Sequence, residues 1–390
     1  MNTIITSIAA TLTGRRLLAL PRRALLLGTM SLGLVACSST PEKLKPLPLA
    51  APATVIGTTQ AWTAQIGPSA APLSPVVSGG RVFVANSKGT VAAIDAATGR
   101  DVWRMSVGAS LSAGVGADGQ TAAVITRDNE LVSVREGREL WRVRLPARSF
   151  TAPLVAGGRV FVLMSDRSVS AFDGGNGAKL WTQSRPGEPL VLGESGVLLA
   201  VGDTLVAGLS ARMTGLDPLN GAVRWQALLA SSRGTNEVER LVDLVGTVSR
   251  IGSSVCARSF NTAVACVDTA QGKPVWSKPA QGTTGLSGDD RLVFGAETDG
   301  RVLAWQRSSG EAAWSVDRFK FRRLTSPLAL GRAVVLGDSE GMVHVLSRED
   351  GSDMARLTTD GSAIVGSPII AGQILIVQTQ KGAVFAWRPQ

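Results

Sequence analysis

The chain has 390 residues, 44% of them hydrophobic, with 44 glycines, three cysteines, one histidine and no tyrosine; it is too apolar to be disordered and long enough to bury one large core or two ordinary ones. Its formal charge is +10, but Arg15, Arg16, Arg22 and Arg23 lie in a first stretch of 36 residues without an acid; setting these four of the 40 basic residues aside leaves 36 against 30 acidic ones, a surplus of +6. That surplus is spread along the chain with no interleaved aromatic residues, which argues against a nucleic-acid surface.

Basic residues up to Arg23 precede the apolar run ALLLGTMSLGLV at 24–35, which is too short to span a bilayer. The run ends in Leu34-Val35-Ala36-Cys37, which resembles a bacterial lipobox. Residues 1–36 are therefore expected to be a lipoprotein signal peptide, with Cys37 lipidated as the first mature residue. Ser38, rather than an aspartate, follows it, which in lipoproteins of this kind implies sorting to the outer membrane. Residues 38–58 carry four prolines and little periodicity, so 37–58 reads as the lipidated Cys and a flexible tether.

Beyond the tether the chain repeats itself. GTVAAIDAATGRDVW (89–103), RSVSAFDGGNGAKLW (167–181) and TAVACVDTAQGKPVW (262–276) are three of seven copies. Each has glycine four residues before its end: Gly99, Gly137, Gly177, Gly221, Gly272, Gly310 and Gly351. Trp103, Trp141, Trp181, Trp225, Trp276 and Trp314 recur at intervals of 38, 40, 44, 51 and 38 residues, and the seventh copy ends in Ala355. A repeat of about 40 residues is the size of one four-stranded propeller blade.

Local chemistry agrees with that size. Alternation in Arg81-Val82-Phe83-Val84 and Thr90-Val91-Ala92-Ala93-Ile94 predicts two half-buried strands joined at Ser87-Lys88-Gly89. Asp95 and Gly99 supply a second turn, the carboxylate bonding nearby amides and the glycine accepting a positive φ. Each tryptophan then opens an outer strand, where its ring is expected to act as a joint between blades rather than as a ligand-stacking stripe. The last stretch, 367–390, holds only the first strands of a blade, and Gln60-Ala61-Trp62-Thr63 offers the missing one, with Trp62 lying 41 residues before Trp103. An N-terminal strand would close the ring and remove a free sheet edge. The expected fold is all-β: an eight-bladed propeller over residues 59–390.

Three further features have two readings. Cys256 and Cys266 flank the turn at 259–262 and face each other across a hairpin, either as a disulfide or as two buried free thiols. The basic run Arg318-Phe319-Lys320-Phe321-Arg322-Arg323 is either a solvated loop or a landing site for acidic protein or lipid headgroups. Gly337-Asp338-Ser339-Glu340-Gly341 matches the G-x-S-x-G elbow of hydrolases, but in the repeat it coincides with a strand-to-strand turn, and His344, the only histidine, sits in the strand that follows.

The D-x-x-x-G-x-x-x-W pattern resembles the docking repeats of eight-bladed quinoprotein-type propellers. With the lipobox, the chain length, LVLGES (190–195), GTNEVERLVDL (234–244) and RRLTSPLALGRAVVLGDSEGMVHVL (322–346), the sequence resembles the BamB family, lipoprotein subunits of the outer-membrane β-barrel assembly machinery. The resemblance implies a non-enzymatic scaffold without cofactor or metal, facing the periplasm. Its partners would be the periplasmic domains of BamA, other subunits of the machinery and unfolded outer-membrane clients. It further implies a BamA-facing surface made of Leu190 and Leu192 as apolar anchors with Arg240 and Asp243 setting register, although this chain lacks the family's Arg after Leu192 and has Val245 where a second acid is usual. The alternative is a periplasmic quinone- or sugar-binding propeller, including an active or vestigial dehydrogenase. Against an enzyme stand the lack of an adjacent Cys pair, of C-x-x-C-H, and of more than one histidine.

Overall fold

The structure, a computed structural model, describes residues 45–51, 55–69, 73–184, 191–231 and 241–389. These form eight four-stranded antiparallel sheets. Seven are meanders of consecutive strands, blade 1 spanning 76–106, blade 2 111–144, blade 3 154–183, blade 4 198–228, blade 5 244–279, blade 6 286–316 and blade 7 328–358. The eighth joins Ile364–Ala371, Ile374–Thr379 and Ala383–Pro389 to the N-terminal strand Thr58–Gln65. Thr58 pairs with Pro389 and Gln65 with Ala383, with a register shift between Gln60 and Trp62. The ring is therefore closed by the two ends of the chain.

The middle strands are buried on both faces, as their Val, Ala and Ile content requires: Val82, Phe83, Val84, Val91, Ala92, Ala93 and Ile94 are all 0% exposed. Their side chains meet those of the neighbouring blade, so that Val82, Ile94 and Trp62 share one cluster with Ile376 and Ala386 of blade 8.

In blade 1 the turn between the third and fourth strands takes the form its residues predict. Asp95 Oδ1 accepts from the amides of Ala97 (3.2 Å) and Thr98 (2.8 Å), and Gly99 has φ +73°. Thr98, through its hydroxyl and then its amide, holds the Asp95 carboxyl below its ordinary range. Gly99 is also the platform for a ring from the blade before: a Cβ there would lie 2.6 Å from the Trp62 indole. The same close approach joins Trp103 to Gly137, Trp141 to Gly177, Trp181 to Gly221, Trp225 to Gly272, Trp276 to Gly310 and Trp314 to Gly351. Five of the indoles also donate to a carbonyl of that turn, as Trp62 Nε1 does to Ala96 O (3.0 Å) and Trp276 Nε1 to Arg307 O (2.7 Å).

This geometry explains the seventh copy. The tryptophan of one blade docks on the turn between the third and fourth strands of the next. In blade 8 those strands come from opposite ends of the chain, so that turn does not exist. Blade 7 correspondingly carries Ala355, and the amides of Val55 and Ile56 bond Met354 O beside it (2.8 and 3.4 Å).

The segment read as a free tether departs from that reading where it is described. Leu47 N donates to Lys320 O (3.2 Å), Arg322 donates twice to Leu47 O (3.0 and 3.3 Å), and Arg356 Nη1 donates to Ala50 O (2.9 Å). Leu49 packs against the cluster of Phe319 and Leu324. Residues 45–51 and 55–57 thus form a strap along blade 7. Proline removes donors and stiffens this backbone, and the two arginines satisfy carbonyls that a sheet partner would otherwise take.

Candidate partner-binding site

The connections entering blades 4 and 5 are the two segments that depart most from the repeat, and the ring brings them together. Gly196 forms an isolated antiparallel bridge with Val245, and Gly246 N donates to Ser195 O (2.7 Å). Asp243 Oδ2 accepts the amide of Leu192 (3.2 Å), while its Oδ1 lies 3.8 Å from Arg167 Nη2 of blade 3. Thr151 Oγ1 accepts the amide of Gly196 (2.9 Å). Carboxylate, amide and guanidinium so fix the two loops in one register.

Val191 and Leu192 are half-buried over this seam, and Leu244 and Val245 are buried beneath it. A recess of about 50 Å³ between the loops is lined by Leu192, Asp243, Arg167, Phe150 and Met164. Glu194 faces both this recess and the central channel, and burial pushes its carboxyl up. The channel is a cavity of about 720 Å³ with hydroxyls of Thr151, Thr247, Ser326 and Ser339 on a largely apolar wall. Half-buried aliphatic groups thus lie beside a fixed carboxylate.

The structure thus unites Leu192 and Asp243 across 51 residues of sequence. Leu190, Arg240 and Cys37 lie outside the described residues. Arg167 of blade 3 and Thr151 of the connection entering it, which support the seam, carry no signal in the sequence, because each belongs to an ordinary turn or connection of its own repeat.

Cys256 and Cys266 are directly paired across their hairpin and bridged as a disulfide. The basic run is not a plain solvated loop: Phe319 and Arg322 are buried, and Arg318 Nη2 pairs with Asp353 Oδ1 at 2.7 Å. Asp338 and Ser339 stand in the turn between Ala333–Gly337 and Met342–Ser347, with no helix following as a nucleophile elbow needs. His344 Nε2 faces Asp338 Oδ2 at 2.9 Å, and Arg322 Nη1 shares that oxygen at 2.8 Å. Burial opposes ionisation of Asp338, but His344, the Met342 amide and Arg322 outweigh it and hold the carboxyl below its ordinary range.

The family described as "Outer membrane protein assembly factor BamB" matches residues 56–110 and 87–316. The protein of that name from Burkholderia pseudomallei is 39% identical over 360 residues, 91% of this chain and 94% of that protein. The chain belongs to the BamB family. A second BamB, from Bordetella pertussis, is 35% identical over 89% of this chain and 91% of its own. The crystal structure of BamB from Moraxella catarrhalis superposes with a TM-score of 0.78 at 25% identity, covering 85% of this chain and all of that one. Quinohemoprotein alcohol dehydrogenase from Comamonas testosteroni, with a TM-score of 0.66 at 16% identity over 85% of this chain and 76% of its own, shares the fold alone.

Proposed function

We propose that this BamB-family chain serves the assembly of outer-membrane proteins as a non-enzymatic scaffold, lipid-anchored at Cys37 on the periplasmic face, and that it holds the periplasmic domains of BamA through the joined loops at 190–196 and 240–246. The observation that carries the site is the bond from Leu192 N to Asp243 Oδ2, which makes one surface of two segments far apart in sequence. A rigid ring with functional loops on one face suits a protein that positions others. Leu190 and Leu192 act as anchors, each costing about 1–2 kcal/mol on truncation. A Leu190→Ala/Leu192→Ala chain should fold as wild type and lose copurification with the barrel subunit from solubilised membranes. Wild-type yield from that double variant would remove the site.

A further inference from the structure

The loop at 318–323 and the strap beside it form one outward surface whose chemistry the partner site does not use. Phe319 is 0% exposed with its ring 4.6 Å from that of His344, Arg322 is held by Asp338 and by Leu47 O, and Leu324 is buried. Between these pins Lys320 and Phe321 turn outward, Phe321 at φ +65°, while Arg323, at φ +46°, lines the central channel. A bulky ring in the left-handed region is strained, and such strain persists where the surroundings impose it and clusters at functional sites. Here both neighbours of the strained stretch are fixed inside, and the phenyl group is 38% exposed.

Leu47, 41% exposed, lies alongside it through the bond from its amide to Lys320 O. Two exposed large apolar residues are thus brought close along one backbone bond, with Lys320 between them in the loop and Lys45 two residues before Leu47. Lys320 is 3.2 Å from Asp317, whereas among the described residues Lys45 has no acidic partner. The place of this patch in the chain says what it meets. Ten residues separate Cys37 from Leu47, and at full extension they reach at most about 35 Å. A lipid at Cys37 thus keeps Leu47 within that distance of the bilayer, whichever way the ring is turned, and the loop of Phe321 is bonded to Leu47.

We propose that Phe321 and Leu47, flanked by Lys45 and Lys320, form a membrane-contact surface that seats this edge of the propeller on anionic phospholipid. The apolar pair enters the headgroup region while the cations meet lipid phosphates. The proposal rests on the reading of Cys37 as the lipid anchor. With Cys37 acylated and Cys256 bridged to Cys266, Phe321→Cys supplies the one accessible thiol for an environment-sensitive fluorophore. Leu219→Cys, in the turn between the third and fourth strands of blade 4 and hence on the opposite face of the ring, is the control.

The labelled, acylated full chain is reconstituted in vesicles of phosphatidylethanolamine and phosphatidylglycerol containing a headgroup-spin-labelled lipid. The Phe321→Cys label should be quenched at least about twofold and the Leu219→Cys label should not. Independently, the unacylated Cys37→Ala chain should bind the same vesicles without spin label, with a roughly tenfold loss in Leu47→Glu/Phe321→Glu. Equal quenching at both sites, or none at Phe321 in protein that floats with the vesicles, overturns the surface and leaves the lipid anchor standing. Protein that does not float overturns the anchor and the surface with it. A Phe321 label unaffected by lipid that shifts only when the barrel subunit is added overturns the membrane surface in favour of a protein contact. Copurification of Leu47→Glu/Phe321→Glu with the barrel subunit should stay at wild-type yield, which keeps this test apart from that of the partner site.

Discussion

Replacing Trp62 by alanine tests ring closure at its least redundant joint. The indole is 8% exposed, sits in a cluster with Val82, Ile94, Ile376 and Ala386, and donates to Ala96 O at 3.0 Å. Truncating a buried tryptophan removes its transfer energy and leaves a cavity, about 3–5 kcal/mol, and it strips the Ala96 carbonyl of its donor. Gly99 has no side chain to fill the space. A total near 4 kcal/mol, at roughly 2 °C per kcal/mol for a ring of this size, lowers the unfolding midpoint by about 8 °C. Trp62→Phe keeps most of the apolar area and loses the hydrogen bond, so it should cost only about 1–2 kcal/mol. Hydrogen exchange should localise the Trp62→Ala effect to Thr58–Gln65 and its partner Ala383–Pro389 before the other blades. A midpoint within about 2 °C of wild type for Trp62→Ala would show that the N-terminal strand does not hold the ring shut.

Other substitutions address other contacts. Because Asp338 is held below its ordinary range, its ionisation stabilises the fold above the unfolded carboxylate value of about 3.9 and that contribution is lost as pH falls through the folded value. Asp338→Asn should therefore be less stable than wild type near neutrality, with the gap in midpoint narrowing below about pH 4; a gap constant with pH would refute the assignment. Cys256→Ala/Cys266→Ala opens a loop with a sequence separation of 10 and should cost about 2.5 kcal/mol on the chain-entropy model, read as a lower denaturation midpoint. Asp243→Ala frees the amide of Leu192 and should reduce copurification with the barrel subunit while shifting the unfolding midpoint by no more than about 2 °C; unchanged copurification would mean that this carboxylate does not organise the surface.

The fold was legible because one packing event recurs. A ring stacked on a backbone turn needs Trp at one place in a blade and Gly at another, so seven rings meet seven glycine turns, and six copies carry Gly and Trp four residues apart. The exceptions to the repeat were legible only afterwards. Copy two has Arg135 where the aspartate should be, and it makes do with a tight turn through Glu136 (φ +49°) and Gly137 (φ +74°). Ala355 ends the seventh copy because a tryptophan there would have no turn to dock on. The partner loops could be named from resemblance, yet Arg167 and Thr151 could not, since their roles depend on which blade stands beside which. The strap escaped notice for the same reason. Arg322 and Leu47 are 275 residues apart, and a proline-rich stretch carries no periodicity to betray a docked backbone.

That strap also decides how the molecule bears load. Tension arriving from an N-terminal anchor would, in a ring with a free linker, run straight into Thr58–Gln65, the strand whose loss opens the circle. With the anchor proposed at Cys37 it would first meet the grips of Arg322 on Leu47 and of Arg356 on Ala50, and then the amides of Val55 and Ile56 on Met354. Blade 7 works as the clamp at the neck of a cable: force is shed into a continuous meander before it reaches the one joint made from two loose ends.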